Sequence, residues 1–123
     1  MKDNPIFEYY VDVNGKCEFE EFLDALPTKD ADKLYALIST IQEEGMLTAI
    51  RQQWVKRLDS EVFEIRSKIS SNIQRALCFH KAKSNYIITH GFTKKTQETP
   101  KREIEKAHRI IKKWRDENAN EKF

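Results

Sequence analysis

Residues 61–69 read EVFEIRSKI, and this stretch decides the fold. Its side chains alternate strictly between two faces, as they do in a β-strand, where successive residues point to opposite sides of the sheet. One face holds Phe63, Ile65, Ser67 and Ile69, and the other holds Val62, Glu64, Arg66 and Lys68. We therefore predict a strand with an apolar face and a face that is mostly polar.

Two further strands follow it along the chain. Residues 73–80 read IQRALCFH and residues 86–92 begin YIITH, and polar turns at 70–72 and 81–85 separate the three stretches. Connections this short join strands as hairpins, so this part of the sheet is predicted to be antiparallel. A short strand at 53–58, QWVKRL, precedes them.

The chain is predicted to begin with a strand and a helix. Residues 6–13, IFEYYVDV, are rich in β-branched and aromatic side chains and end at the turn pair Asn14-Gly15. Residues 17–26 repeat apolar side chains at the spacing of an amphipathic helix, with acidic residues between them. Pro27 ends this helix.

Two more helices complete the predicted elements. Thr28 or Asp30 can cap a second helix that ends at Gly45. Thr99 supplies an N-cap and Pro100 the first helical position of a last helix. The apolar stripe of that helix consists of Ile104, Ala107, Ile111 and Trp114.

The predicted order of elements is β-α-α-β-β-β-β-α. This order belongs to the α+β class, with a small, mostly antiparallel sheet, two N-terminal helices and a C-terminal helix. A chain of 123 residues fits a single compact domain, so we predict one domain over residues 1–123.

The net charge of +2 conceals a strong polarity along the chain. Residues 1–50 hold four Lys or Arg against eleven Asp or Glu, a net charge of −7. Residues 51–115 hold seventeen against six, a net charge of +11. Two solvated faces of opposite sign would account for this, but a basic surface that meets a polyanion is the hypothesis we favour.

Other features indicate a cytoplasmic protein without a cofactor. No stretch approaches the roughly 18–20 apolar residues that cross a bilayer. Cys17 and Cys78 stand singly and far apart, and we interpret them as buried thiols, with a disulfide as the alternative. No group of residues has metal-ligand spacing, and the glycine-rich nucleotide motifs and the serine-hydrolase motif are absent. We therefore predict neither a metal nor an organic cofactor.

The predicted strands carry polar residues where a buried face would hold apolar ones. Glu64 and Arg66 share a strand face, Arg75 lies on the neighbouring strand, and His90 lies on the last strand with Ile88 and Phe92. RNA cleavage through the 2′-hydroxyl needs a base, an acid and cations for the phosphate oxygens. Glu or His can transfer the protons and Arg can bind the phosphate, although cross-strand Glu–Arg pairs on an open sheet are commonly structural.

Four lysines near these residues are candidate RNA-binding groups. Lys56 and Lys68 lie on the predicted strands, and Lys94 and Lys95 directly follow the last one, where we expect a flexible turn. Ammonium groups in such positions contact backbone phosphates without regard to sequence.

The same stretches resemble a known family. The segments F63-E-I-R66, R75, H90-G-F-T-K-K-T96 and E103-I-E-K-A107 are similar in order and spacing to the phage-derived HigB-like branch of the RelE/ParE toxin superfamily. The resemblance covers about residues 7–115, and the H-G-F-x-K-K-T segment is its most specific part. It implies a RelE-like fold and the toxin of a type II toxin–antitoxin system.

The resemblance also implies residue roles. Arg66 and Arg75 would bind or stabilise the phosphate, and Lys94 and Lys95 would hold the RNA backbone. His90 would transfer a proton, and Glu64 would act either as a base or as the residue that orients Arg66. The catalytic set is then Glu64, Arg66, Arg75 and His90.

The implied activity is a metal-independent endoribonuclease that cleaves translated mRNA on the ribosome. Its partners would be a cognate helix-turn-helix antitoxin, in an oligomeric complex, and the ribosome with its mRNA. Because some members of the superfamily poison a DNA-topology enzyme instead, a non-enzymatic, ParE-like inhibitor or binding module stays open as the alternative.

Overall fold

The computed structural model describes residues 4–95 and 98–119. The elements in these ranges are β1 (Ile6–Tyr9), α1 (Glu18–Ala25), α2 (Thr28–Glu44), α3 (Met46–Arg51), β2 (Val55–Arg57), β3 (Val62–Ile69), β4 (Asn72–Ala82), β5 (Asn85–Lys94) and α4 (Lys101–Glu117). The predicted α+β order is confirmed, with α3 as an addition. At six residues, α3 is too short for its side-chain periodicity to separate it from a loop.

The strands form one sheet in the order β1-β5-β4-β3-β2. Strand β2 pairs antiparallel with β3, β3 with β4 and β4 with β5, as predicted. Strand β1 pairs with the other edge of β5 and runs parallel to it. The prediction of a first strand over 6–13 was too long. The Asp12 carboxylate accepts hydrogen bonds from the backbone N–H groups of Asn14 and Lys16, and this turn, with Gly15 at φ +85°, takes the chain away from the sheet.

The two faces of the sheet bury two separate cores. Helices α1, α2 and α3 cover one face, where a cluster including Phe19, Leu34 and Ile65 is fully buried. Helix α4 packs on the other face through Ala107 and Ile111, against Val62, Leu77 and Phe79 of the sheet. The two faces predicted for residues 62–69 are therefore confirmed for Val62 and Ile65.

A bulge between β4 and β5 changes which side chains share a face. Leu77 pairs with His90 but Cys78 pairs with Ile88, which leaves Thr89 as an extra residue in β5. Ile88 consequently packs in the core of helices α1 to α3, whereas His90 faces α4. His90 lies on the last strand with Ile88 and Phe92, as predicted, but the bulge, which strict alternation cannot anticipate, puts His90 and Ile88 on opposite faces.

The predicted capping residues have other partners. Among the residues that the structure describes, no side-chain hydrogen bond caps α2 or α4. Asp30 is buried and accepts a hydrogen bond from Gln74 Nε2 at 3.1 Å, which joins α2 to the sheet. The hydroxyl of Thr99 donates to the Glu64 carboxylate, and Pro100 lies just before α4 begins. Gly45, at φ +93°, ends α2 as predicted.

Both cysteines are buried free thiols, as predicted. Burial raises the pKa of the Cys78 thiol, which is therefore protonated at neutral pH. Within residues 4–95 and 98–119, no helix has the length and apolar character needed to span a bilayer.

Gly91 fixes how closely α1 approaches the sheet. A Cβ atom at position 91 would lie 2.3 Å from Phe22 Cδ2 and 2.6 Å from Phe22 Cε2. These distances are far inside van der Waals contact, so the ring of Phe22 occupies the space that any other side chain at position 91 would need.

We predict that Gly91→Ala lowers the free energy of unfolding by about 2 kcal/mol, because an added methyl overpacks this contact. Urea denaturation should show that replacing Phe22 by Ala costs less in the Gly91→Ala background than in the wild type. Gly15→Ala is the matched control, because position 15 has φ +85° but no heavy atom within 4 Å of a Cβ. If Phe22→Ala lowers the free energy of unfolding equally in the wild type and in the Gly91→Ala variant, the close approach of Phe22 to position 91 is contradicted.

Candidate functional site

The strand register brings the predicted site residues to one end of the sheet. Arg66 lies directly opposite Arg75, and Lys56 lies directly opposite Glu64. Residues that pair directly project from the same face, so all four belong to the face on which α4 packs. Ile73 lies opposite both Lys68 and Lys94, which places these two lysines in the next row.

The Glu64 carboxylate is the centre of this arrangement and is only 1% exposed. Its Oε1 atom lies 3.5 Å from Arg75 Nε and 3.7 Å from Arg66 Nε, and its Oε2 atom accepts the hydrogen bond from the Thr99 hydroxyl. Because both oxygens are engaged, the carboxylate is suited to orienting the two arginines. The alternative, that Glu64 is a base for substrate, has less support from this geometry.

Arg75 is 6% exposed and is held by the backbone as well as by Glu64. Its Nη1 atom donates to the Gln74 carbonyl at 3.1 Å. Within the part of the chain that the structure describes, its buried Nε atom has no hydrogen-bond partner. Burial lowers the pKa of the Arg75 guanidinium, and the nearby Glu64 carboxylate acts in the opposite direction.

Arg66 differs from Arg75 in its exposure. Its side chain is 30% exposed, although it lies opposite Arg75 and contacts the same Glu64 oxygen. A guanidinium that is fixed on one side and open on the other can form two hydrogen bonds to a phosphate. Arg66 is therefore the arginine that a ligand reaches first.

The sequence led us to expect Lys94 in a flexible turn, but the structure places it in a strand. It is the last residue of β5 and is only 5% exposed. Burial lowers the pKa of its ammonium group, Glu64 raises it, and Arg75, Arg66 and Lys56 lower it further. An amine in such surroundings loses its proton more readily than an ordinary lysine.

Glu64, Arg66, Arg75 and Lys94 together form what we call the cationic cluster. Two arginines contact the one carboxylate and Lys94 interacts electrostatically with all three, so the cluster carries an excess of positive charge in a mostly buried setting. Such a cluster is suited to an anion. Lys56, Lys68 and Lys95 are exposed around it, and Thr96 of the H-G-F-x-K-K-T segment lies outside the described residues.

His90 lies apart from the cationic cluster. Its ring is 2% exposed, with Nδ1 3.0 Å from the Thr89 hydroxyl and Nε2 3.1 Å from Glu103 Oε1. Burial lowers the pKa of His90, and the hydrogen bond with Glu103 opposes this shift. Leu77 pairs with both Glu64 and His90, so the two lie about two strand spacings, or roughly 10 Å, apart. The proton-transfer role of His90 stays a prediction.

Two residues that contact the predicted site residues, from α4 and from the segment leading into it, were not among those predicted. Thr99 was interpreted as a helix cap, and Glu103 was not singled out. A Thr-Pro pair before a helix is typical of a cap. Nothing in the local pattern indicates that the hydroxyl turns to the sheet instead. In residues 4–95 and 98–119, no three His, Cys, Asp or Glu side chains come together as a metal site.

The fold and the cluster define the class of the protein: a small α+β protein of RelE-like architecture with a cationic cluster at one end of its sheet. Comparison with known families then identifies it further. The profile described as "Phage derived protein Gp49-like (DUF891)" matches residues 21–112, about three quarters of the chain. The chain belongs to this Gp49-like phage-derived family, which is toxin-like. No curated protein matches it.

We predict that Lys94→Met raises the free energy of unfolding by about 1 kcal/mol at neutral pH, because it removes a desolvated cation from beside two others. Because burial lowers the pKa of Lys94, the destabilising charge is lost as the pH rises through the folded-state pKa. The advantage of Lys94→Met in urea denaturation should therefore narrow at alkaline pH.

The exposed neighbour Lys95 provides the matched control. Lys95→Met should change stability by no more than about 0.5 kcal/mol, as is usual for surface positions. A Lys94→Met variant that is less stable than the wild type would show that attraction to Glu64 outweighs repulsion within the cluster.

Proposed function

We propose that this protein is the toxin of a type II toxin–antitoxin pair and that it cleaves translated mRNA on the ribosome. The reaction takes place in the cytoplasm and needs no metal ion as a chemical participant. A cognate helix-turn-helix antitoxin silences the toxin in an oligomeric complex. Membership of a toxin-like family supports the toxin part of this proposal, and the cationic cluster supports the activity.

The observation that carries the proposal is the cationic cluster itself. Arg66 and Arg75 contact one buried carboxylate, and the same carboxylate raises the pKa of the buried Lys94, which leaves the combined charge of the three cations in excess. In RNA cleavage the 2′-hydroxyl oxygen bonds to phosphorus and the bond to the 5′-oxygen breaks. Negative charge builds up on the phosphate oxygens between these events, and fixed cations stabilise that charge most when they need no rearrangement.

Each member of the cluster has a role in this chemistry. Arg66 and Arg75 stabilise the charge on the phosphate, and Glu64 holds their guanidinium groups in place. The 2′-hydroxyl gives up a proton and the leaving 5′-oxygen takes one. Lys94 is the member suited to exchanging these protons, because burial lowers the pKa of its ammonium group whereas guanidinium groups keep their protons.

The exposed lysines around the cluster serve to bind rather than to react. Lys56, Lys68 and Lys95 are open to solvent, which supports a role in contacting the RNA backbone. Their contacts with phosphates depend on salt and not on base sequence. The ribosome presents both a polyanion for the basic half of the chain and an mRNA held in a fixed path, and positioning alone lowers a reaction barrier by several kcal/mol.

We predict that Arg66→Ala and Arg75→Ala each slow single-turnover cleavage of ribosome-bound mRNA by about 10²–10³-fold, the usual loss for one fixed transition-state donor. Affinity for the ribosome should change little. The measurement is the cleavage rate at saturating toxin beside the dissociation constant from programmed ribosomes, with a polyamine replacing Mg²⁺ in a parallel series on intact ribosomes.

Lys56→Ala/Lys95→Ala is the control for binding. It should weaken ribosome affinity, most strongly at high salt, and leave the rate at saturation near that of the wild type. Arginine variants that bind weakly but cleave normally once bound would make Arg66 and Arg75 docking residues. A wild-type protein that arrests growth without cutting RNA would favour a ParE-like inhibitor of a DNA-topology enzyme.

A further inference from the structure

The approach to α4 is fastened to the sheet by two polar contacts in one row. The Thr99 hydroxyl donates to Glu64 Oε2, and four residues later Glu103 Oε1 lies 3.1 Å from His90 Nε2. Glu64 and His90 both pair with Leu77, one on each side. The N-terminal end of α4 is therefore held directly beside the cationic cluster.

The second contact gives this fastening a defined geometry. The Thr89 hydroxyl donates its proton to the Leu77 carbonyl at 3.1 Å, so it can only accept from His90 Nδ1. The proton of the neutral imidazole is thus on Nδ1, and the contact between His90 Nε2 and Glu103 requires one further shared proton. The His90 ring and the Glu103 carboxylate are therefore fixed in orientation. This pair fixes the position of the first turn of α4 and of the residues that lead into it.

The first contact determines the orientation of Glu64. The carboxylate is nearly fully buried, so an oxygen that lost the Thr99 hydroxyl would have no water to replace it. Glu64 Oε1 lies 3.5 Å from Arg75 Nε, yet that Nε atom has no hydrogen-bond partner among the described residues. The carboxylate is thus turned toward Thr99 and not aligned with Arg75 for a hydrogen bond of its own.

We propose that Thr99 is a positioning residue of the site. Its hydroxyl sets the rotation of the Glu64 carboxylate, and through Glu64 it sets where the guanidinium groups of Arg66 and Arg75 lie. Without the hydroxyl, the carboxylate turns to pair with the unsatisfied Arg75 Nε, and Arg75 becomes more strongly engaged within the protein. The catalytic part of this inference rests on the proposed RNA cleavage, and the geometric part does not.

The geometric part is tested by the ¹H–¹⁵N resonances of the Nε–H groups of Arg66 and Arg75 in the full chain, assigned with Arg→Lys variants. Thr99→Val keeps the shape of the side chain and removes the hydroxyl, and Thr99→Ala does the same with less bulk. Both should shift the Arg75 Nε–H proton downfield, as a new hydrogen bond to carboxylate requires. Thr99→Ser should restore the wild-type position.

His108→Gln is the control for α4 docking in general. His108 Nε2 lies 2.7 Å from Asp59 Oδ2, a contact of α4 with the β2–β3 turn that does not involve the cationic cluster. This variant should leave both arginine resonances in place. Thr99→Val and Thr99→Ala spectra that match the wild type at both arginines would overturn the proposal.

The catalytic part is tested on ribosome-bound mRNA with the same variants. Thr99→Val should lower the rate at saturating toxin about tenfold or more and change ribosome affinity less than twofold, and Thr99→Ser should recover most of the rate. If Thr99→Ser lost as much of the cleavage rate as Thr99→Val, the catalytic part of the proposal would be overturned. If the wild type cleaves no RNA, the proposed function fails, while the arginine resonances still decide whether Thr99 positions Glu64.

Discussion

The Glu64 carboxylate lies almost wholly buried between the guanidinium groups of Arg66 and Arg75, and the arrangement of this end of the sheet depends on it. Arg75, which is buried, and Arg66, which is partly exposed, face each other across neighbouring strands and repel, and Arg75 could not be kept out of water without a nearby anion. Thr99 completes the shell of the carboxylate and thereby connects the path into α4 to the same centre. The position of α4 and the arrangement of charges in the cationic cluster therefore both depend on Glu64.

One carboxylate does not balance three cations. Lys94 is buried with its pKa lowered, and the buried Arg75 Nε atom has no hydrogen-bond partner in the described residues. A protein selected for stability alone would place apolar side chains here, so this surplus of positive charge is best explained by an anionic ligand that completes it. In the proposed function, that ligand is RNA.

The alternation in residues 61–69 was enough to predict β3 and to place Glu64 and Arg66 on one face, because a strand has a strict period of two. The position of Arg75 on the neighbouring strand followed from the predicted hairpin that joins β3 to β4. Residues governed by longer-range geometry could not be predicted: the bulge at Thr89 turned His90 under α4, β5 continued through Lys94, and Thr99 bonded to the sheet instead of capping α4. Each of these depends on a partner distant in sequence, which local patterns do not reveal.

The most direct test of the account is to map the 5′ ends of cellular mRNAs by primer extension shortly after the toxin is induced without an antitoxin. Cleavage of translated mRNA predicts new ends inside translated regions, spaced by whole codons, and none in a transcript whose start codon has been removed. The Arg75→Ala toxin should produce neither these ends nor growth arrest. Growth arrest by the wild type with no new mRNA ends would contradict the account, because the cationic cluster would then bind a target without cutting RNA.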